Sequence, residues 1–102
     1  MNTFILIGKL LEEPQVKETN NGKKYSKLFV QDKRAYKNQN DEYENDTYDV
    51  TLWGNNNLEE CKENDIVVIR GRLQSYTLEK EDNIYHNVEL VGEKVSVYQD
   101  AI

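Results

Sequence analysis

The stretch YDVTLWG, residues 48–54, alternates apolar and polar side chains and ends at a glycine. A period of two is typical of a strand with one face towards a core. It divides the side chains into Tyr48, Val50 and Leu52 on one face and Asp49, Thr51 and Trp53 on the other. The only tryptophan of the chain is therefore predicted to lie outside the core, among polar side chains.

The composition limits the class of protein. The chain has 102 residues, of which 37% are hydrophobic, so we expect one domain over residues 1–102 with a single small core. No run approaches the roughly 18 apolar residues of a membrane span, and the N-terminus lacks the features of a signal peptide, which predicts a cytoplasmic protein without a membrane partner. Cys61 and His86 are each the only residue of their type, and no catalytic or phosphate-binding motif occurs. We therefore predict no enzyme, no metal site and no cofactor.

The net charge of −6 argues against a nucleic-acid partner, because Lys and Arg supply most of the affinity for phosphates. The charge is, however, unevenly distributed. Residues 1–37 carry eight basic and four acidic side chains, residues 38–65 carry one and nine, and residues 66–102 carry four and six. Since the Debye length is about 8 Å at physiological salt, a basic strand face can contact phosphates while the acidic segment lies elsewhere.

Turn signals divide the rest of the chain into strands without repeats. Strands are predicted at residues 3–13, 16–19, 23–37 and 48–54, followed by a strand, a return strand and a last short strand within 65–98. Residues 38–46 are polar and acidic and are predicted to form a loop, and residues 80–83 a charged turn. The Asn-rich segment 55–64 is the only helical candidate, with two turns at most.

The order of three strands, one short helix and two more strands predicts an all-β fold, a small closed or nearly closed antiparallel barrel. This is the order of the oligonucleotide/oligosaccharide-binding (OB) barrel. We therefore predict a five-stranded OB-fold barrel with one short helix between the third and fourth strands and an extended hairpin of the fourth and fifth strands.

Four segments extend over nearly the whole chain, NTFILIGKLLEEPQVKETNNGK at 2–23, VTLWGNNN at 50–57, DIVVIRGRLQSY at 65–76 and IYHNVELVGEKV at 84–95. In this order they resemble segments of bacterial single-stranded DNA-binding proteins. The resemblance implies a non-enzymatic protein that binds single-stranded DNA with little regard to sequence, in replication, recombination or repair. It also implies homodimers that pair into homotetramers.

The resemblance implies that unpaired bases stack on three aromatic side chains, Trp53, Tyr36 and Tyr76. The family's hairpin aromatic matches Leu78 without gaps, and a two-residue slip that keeps the strand face brings in Tyr76. The family's second aromatic on the third strand matches Thr47, so that platform is either missing or replaced by Tyr48 or Tyr43. Each stacked base contributes about 1–3 kcal/mol, so three platforms can carry binding with few cations.

Cations near these aromatics are the candidates for phosphate contact: Lys33, Arg34, Lys37, Arg72 and Lys9. The first three lie beside Tyr36 in the sequence, and Arg72 shares a strand face with Tyr76. Further candidates lie in the hairpin before them, namely Lys23, Lys24 and Lys27. For each cation the alternative is a solvated strand edge that prevents aggregation.

The first predicted strand indicates self-association. Residues 4–7 are apolar on both faces, which suits a strand with the core on one side and a second subunit on the other. The predicted interface comprises Phe4, Ile5, Leu6, Ile7 and Tyr48. We expect a homodimer or homotetramer.

A different class of function stays open at this point. The acidic segment 38–65 favours an OB barrel that contacts proteins, such as a primosomal accessory module, with weak or no DNA binding. The chain also ends without the acidic tip through which, the resemblance implies, cellular members recruit replication and repair enzymes. We expect a compact form from a phage or mobile element, a primosomal accessory protein, or a truncated chain. Replication proteins stay open as partners, although the usual recruiting tail is absent.

Overall fold

The computed structural model describes residues 1–54, 58 and 60–98. Its regular elements are six β-strands, β1 (Phe4–Leu10), β2 (Gln15–Glu18), β3 (Lys24–Lys37), β4 (Tyr43–Trp53), β5 (Ile66–Lys80) and β6 (Asn83–Val97). The all-β prediction is confirmed. Within the described residues, no helix has the length and apolar character needed to cross a membrane.

Five of the strands close into a barrel. β3 pairs with β4, β4 with β6, β6 with β5, and β5 with β1. β1 then returns to β3 through the pairs Lys9–Gln31 and Leu10–Val30. β2 lies outside this ring and pairs with the beginning of β3. The predicted five-stranded OB-fold barrel is therefore confirmed.

One pairing differs from the prediction of an antiparallel barrel. β4 and β6 run parallel, with Val50 opposite Leu90 and Thr51 opposite Val91. The two strands are far apart in the sequence, and the alternation of side chains within a strand carries no information about the direction of a distant neighbour. The prediction was wrong here for that reason.

The core fills the barrel from alternating positions on the strands. Its buried apolar members are Leu6, Leu10, Leu28, Val30, Val50, Leu52, Cys61, Val67 and Ile69. Gly8 lies where β1 passes from β5 to β3, and a Cβ atom there would collide with the backbone carbonyl of Gln31. The barrel can close at this seam because position 8 has no side chain.

The predicted extended hairpin is formed by β5 and β6. Their pairing runs from Val67–Val97 to Lys80–Asn83. The turn consists of Glu81 and Asp82, whose φ angles of 51° and 64° are of the sign required by a two-residue type I′ turn. The return strand and the last short strand of the prediction are one continuous strand, β6, and its pairing with β5 shifts register between Arg70 and Gly71 of β5.

The loop predicted at residues 38–46 is shorter, because β4 begins at Tyr43. The turn is closed by Asn38, whose Oδ1 accepts hydrogen bonds from the backbone N–H groups of Asn40 and Glu42 at 2.8 and 3.1 Å. Polar residues follow Tyr43, and no apolar alternation marks them as a strand. These residues form a strand because they pair with β3.

The helix predicted at residues 55–64 is not confirmed. The described part of this segment, residues 58 and 60–64, forms turns, in which the Cys61 N–H donates to the Leu58 carbonyl at 3.0 Å. Residues 55–57 and 59 lie outside the described residues.

Candidate nucleic-acid interface

The odd-numbered side chains of β3 and β4 form a surface opposite the core, which we call the outer wall. Tyr25 and Trp53 face each other across these strands, with ring centroids 5.1 Å apart and ring planes at 42°. Trp53 is 46% exposed, so the prediction that it lies outside the core is confirmed. The alternation in residues 23–37 places Tyr25 on the same face, but its contact with Trp53 depends on the register between the strands.

A groove on the outer wall lies between the β3–β4 pair and the long hairpin. It is lined by Lys27, Asp49, Tyr76, Val88 and Glu89. Tyr76 enters the groove from β5, and its side chain is about half exposed. Tyr76 matches the family's hairpin aromatic only when the comparison is shifted by two residues. The structure places it on the same wall as Trp53.

Lys27 is held in the groove by two side chains of β4. Its Nζ donates to Thr51 Oγ1 at 2.8 Å and lies 3.3 Å from Asp49 Oδ2. Thr51 faces the outer wall as predicted, yet it is buried. We attribute this burial in part to the Lys27 side chain that lies over it. The ammonium group of Lys27 is therefore already paired within the wall.

The ribbon tip, residues 32–46, is the part of β3 and β4 beyond the barrel. Here Lys33 and Lys37 lie against Tyr43, with their Nζ atoms 4.6 and 5.6 Å from the centroid of its ring. These distances are those of cation–π contacts. Tyr36, the predicted platform of this region, is 86% exposed. The structure thus associates the two lysines with Tyr43, which the sequence named only as a replacement for a missing aromatic.

Arg34 lies on the other side of the ribbon tip and is held by two carboxylates. Its Nε and Nη2 donate to the two carboxylate oxygens of Asp46 at 3.0 and 2.9 Å, and its Nη1 donates to Glu44 at 2.7 Å. The hydrogen bond from Arg34 lowers the pKa of the Asp46 carboxyl below its ordinary value. Arg34 is therefore less available to a phosphate than a solvated arginine would be.

The charge distribution predicts that the acidic segment lies away from the basic one. In the structure the two segments lie side by side. β4 runs antiparallel to β3 and the turn between them folds back, so acidic residues of 41–49 contact the β3 cations. Besides the Arg34 pairs, Lys27 pairs with Asp49 and Lys37 with Asp41, both at 3.3 Å. Pairing reduces the positive potential of the wall.

The remaining predicted cations are also placed by the strands. Arg72 lies 3.7 Å from a carboxylate oxygen of Glu93 and donates to Gln74 Oε1 at 3.3 Å. Lys9 is exposed and lies opposite Gln31 at the β1–β3 seam. Both cations are accessible, and their contact with phosphate stays a prediction.

Two of the four apolar residues 4–7 of the first strand are exposed to solvent. Leu6 is buried in the core and Phe4 packs against it. Ile5 and Ile7 point outwards and are 69% and 55% exposed. Of the residues predicted for a subunit interface, the side chains of these two and of the partly exposed Tyr48 are the accessible ones.

The comparison with protein-family models identifies this barrel. The single-strand binding protein family model matches residues 1–98. The chain belongs to the single-strand binding protein family. The predicted resemblance to bacterial single-stranded DNA-binding proteins is thereby confirmed.

Relatives of known name and solved structures agree with this family. Single-stranded DNA-binding protein 1 of Clostridium acetobutylicum is 33% identical over 100 residues, which cover 93% of this chain and 91% of that protein. The chain is similar in structure to the single-stranded DNA-binding protein of Thermus aquaticus, with a TM-score of 0.77 and 20% identity over 99% of this chain and 52% of that one. It is also similar to the Plasmodium falciparum SSB in its complex with ssDNA, with a TM-score of 0.72 and 17% identity over 97% and 96% of the two chains.

Proposed function

We propose that this chain binds single-stranded DNA with little regard to sequence and protects it in replication, recombination or repair. Membership in the single-strand binding protein family supports this class of ligand. The observation that carries the mechanism is the indole of Trp53, which is turned away from the core and rests on Tyr25. Because every base has a flat π-face, a ring in this position can stack with any of them.

The proposed path of the strand follows the outer wall. Trp53 and Tyr43 mark the two ends of β4, ten residues apart, which corresponds to about 33 Å at about 3.3 Å per residue. Tyr76 adds a platform on the hairpin side of the groove, and Tyr36 adds an exposed ring at the ribbon tip. A path of this length suits a footprint within the range of about 4–16 nucleotides for one OB fold.

Phosphate contacts are proposed for the cations on the same wall. Lys33 and Lys37 lie beside Tyr43, so a base stacked on that ring would bring its phosphates near both ammonium groups. Arg72 and Lys9 lie at the margins of the wall. Arg34 is engaged by Asp46 and Glu44 and is proposed to contribute less than its position in the sequence predicts.

Self-association through β1 is part of the proposal. The exposed Ile5 and Ile7 form an apolar surface that a second copy would cover. Light scattering should give a mass well above the 12.0 kDa of one chain. Ile5→Glu should lower that mass, whereas Val16→Glu, at an equally exposed apolar position on β2, should not. A mass of one chain for the unaltered protein would contradict this part.

The protein-contact alternative receives less support. It depends on the acidic segment as a working surface, and the carboxylates of Asp41, Glu44, Asp46 and Asp49 are all paired with cations of β3. These pairs engage four of the nine acidic side chains of residues 38–65, which weakens the segment as an attractor for a basic partner.

Competition binding tests the proposed function. A fluorescently labelled oligo(dT) is titrated with the protein and followed by anisotropy, and unlabelled oligo(dT) or duplex of equal length is then added. We expect the single strand to displace the label and the duplex to leave it bound. A chain that is folded by circular dichroism but leaves the label unbound would contradict the proposal and favour protein contact.

A further inference from the structure

The short strand β2 places a lysine beside the aromatic pair of the outer wall. Lys17 lies directly opposite Tyr25 of β3, and Tyr25 lies directly opposite Trp53 of β4. Residues directly opposite each other in an antiparallel pair project from the same face of the sheet. Lys17, Tyr25 and Trp53 therefore form one row across three neighbouring strands, on the side of the sheet that faces away from the core.

The ammonium group of Lys17 differs from that of Lys27 in its partners. Lys27 is paired with Asp49 at 3.3 Å. Lys17 is exposed, and within the described part of the chain it takes part in no ion pair. The carboxylate next to it along the chain, that of Glu18, projects to the opposite face of the strand. Lys17 can therefore bind a phosphate without first losing a carboxylate.

The spacing of the row suits a nucleotide that is stacked on the indole. Neighbouring strands lie about 4.8 Å apart, so two strand spacings separate the backbone positions of Lys17 and Trp53 by about 10 Å. The phosphates of a stacked nucleotide lie beyond the edge of its base, and a lysine carries its charge on a flexible four-carbon chain. The ammonium group of Lys17 can therefore reach a phosphate on the β2 side of the stacked base.

We propose that β2 belongs to the interface and that Lys17 contacts a phosphate of the nucleotide stacked on Trp53. The inference rests on the proposed function, and it extends the interface to a strand that lies outside the closed barrel. At the ribbon tip, Lys33 lies beside Tyr43. A bound strand is then held by a lysine next to an aromatic ring at both ends of the wall.

The salt dependence of oligo(dT) binding tests the contact. Lys17→Met removes the charge and keeps an unbranched side chain. It should reduce the slope of log affinity against log salt by about 0.7, the share of one phosphate contact to a single strand. Lys17→Arg keeps the charge and should keep the slope. The matched control Lys62→Met removes one positive charge at an exposed position before β5 and should leave the slope unchanged.

The fluorescence of Trp53 separates a phosphate contact from an effect on the indole. Saturating oligo(dT) should quench Trp53 in Lys17→Met as fully as in the unaltered chain, because the base keeps its platform. Loss of this quenching in the variant would show that Lys17 acts by positioning the ring, and the proposed contact would be wrong.

The slopes also give the results that would overturn the inference. These are a slope that Lys17→Met leaves unchanged, and equal reductions in Lys17→Met and Lys62→Met, which would indicate an effect of net charge alone. Failure of the unaltered chain to bind any single strand would instead overturn the proposed function. Lys17→Gln repeats the test if circular dichroism shows that Lys17→Met does not fold.

Discussion

The two ends of the β3–β4 pair use similar residue types in different ways. At the barrel end, Trp53 rests on Tyr25, and Lys27 contacts Thr51 and Asp49. At the ribbon tip, Lys33 and Lys37 flank one ring on one side, and the other side carries the neutralised Arg34. The barrel end offers aromatic surface supported by a second ring, and the tip offers two lysines beside a single ring.

This difference separates two contributions to binding. Stacking changes affinity and depends weakly on salt, whereas each phosphate contact to a single strand adds about 0.7 to the slope of log affinity against log salt. Variants at the barrel end should therefore lower affinity at every salt concentration. Variants at the tip should change mainly the slope.

Removal of the indole should have the largest effect. Trp53→Ala should weaken oligo(dT) binding by about 1–3 kcal/mol, because one stacked base loses its platform, and the salt slope should stay unchanged. Anisotropy of a labelled oligonucleotide measures both quantities. Tyr98→Ala removes another exposed aromatic, beyond the end of β6, and should change binding by less than about 0.5 kcal/mol. Equal losses in the two variants would remove Trp53 from the site.

Removal of the tip aromatic should have a smaller effect. Tyr43→Ala should cost about 1 kcal/mol, at the low end for a stacked base, since two lysines already occupy part of the ring environment. Tyr43→Phe keeps the ring and should bind like the unaltered chain. A loss in Tyr43→Phe as large as that in Tyr43→Ala would indicate that the hydroxyl group is used and that stacking is not.

Neighbouring cations at the tip should differ in salt dependence. The double variant Lys33→Ala with Lys37→Ala should reduce the slope by about 0.7 per lysine, as each releases one phosphate contact. Arg34→Ala should leave the slope nearly unchanged, because its guanidinium is paired with Asp46 and Glu44. Titrations at several salt concentrations give the slopes. A slope that falls more in Arg34→Ala than in the lysine variant would show that Arg34, and not the two lysines, contacts phosphate.

The smallest effect concerns the ion pair itself. Because Arg34 lowers the pKa of the Asp46 carboxyl, the pair contributes stability above the ordinary pKa of an aspartate and loses it as the pH falls through the lowered value. Carbon-13 NMR should show Asp46 titrating below its ordinary range. In Arg34→Ala its pKa should move back towards that range, and an unchanged pKa would show that the pairing is absent in solution.

Alternation and turn signals were sufficient to predict the barrel, the long hairpin and the outward position of Trp53. They were insufficient for properties that depend on pairing between distant segments. The parallel β4–β6 pair, the start of β4 at Tyr43 and the neutralisation of Arg34 by Asp46 all arise from strand register, which no single segment encodes. The position of the Lys27 side chain also depends on strand register, because its partner Asp49 lies 22 residues further along the chain.

The central claim is that unpaired bases stack on the outer wall at Trp53. Trp53 is the only tryptophan of the chain, so its intrinsic fluorescence reports on this position alone. Oligo(dT) should quench that fluorescence strongly and saturably, and duplex of equal length should quench it little. Oligo(dT) binding that leaves the fluorescence unchanged, or equal quenching by duplex, would contradict the account.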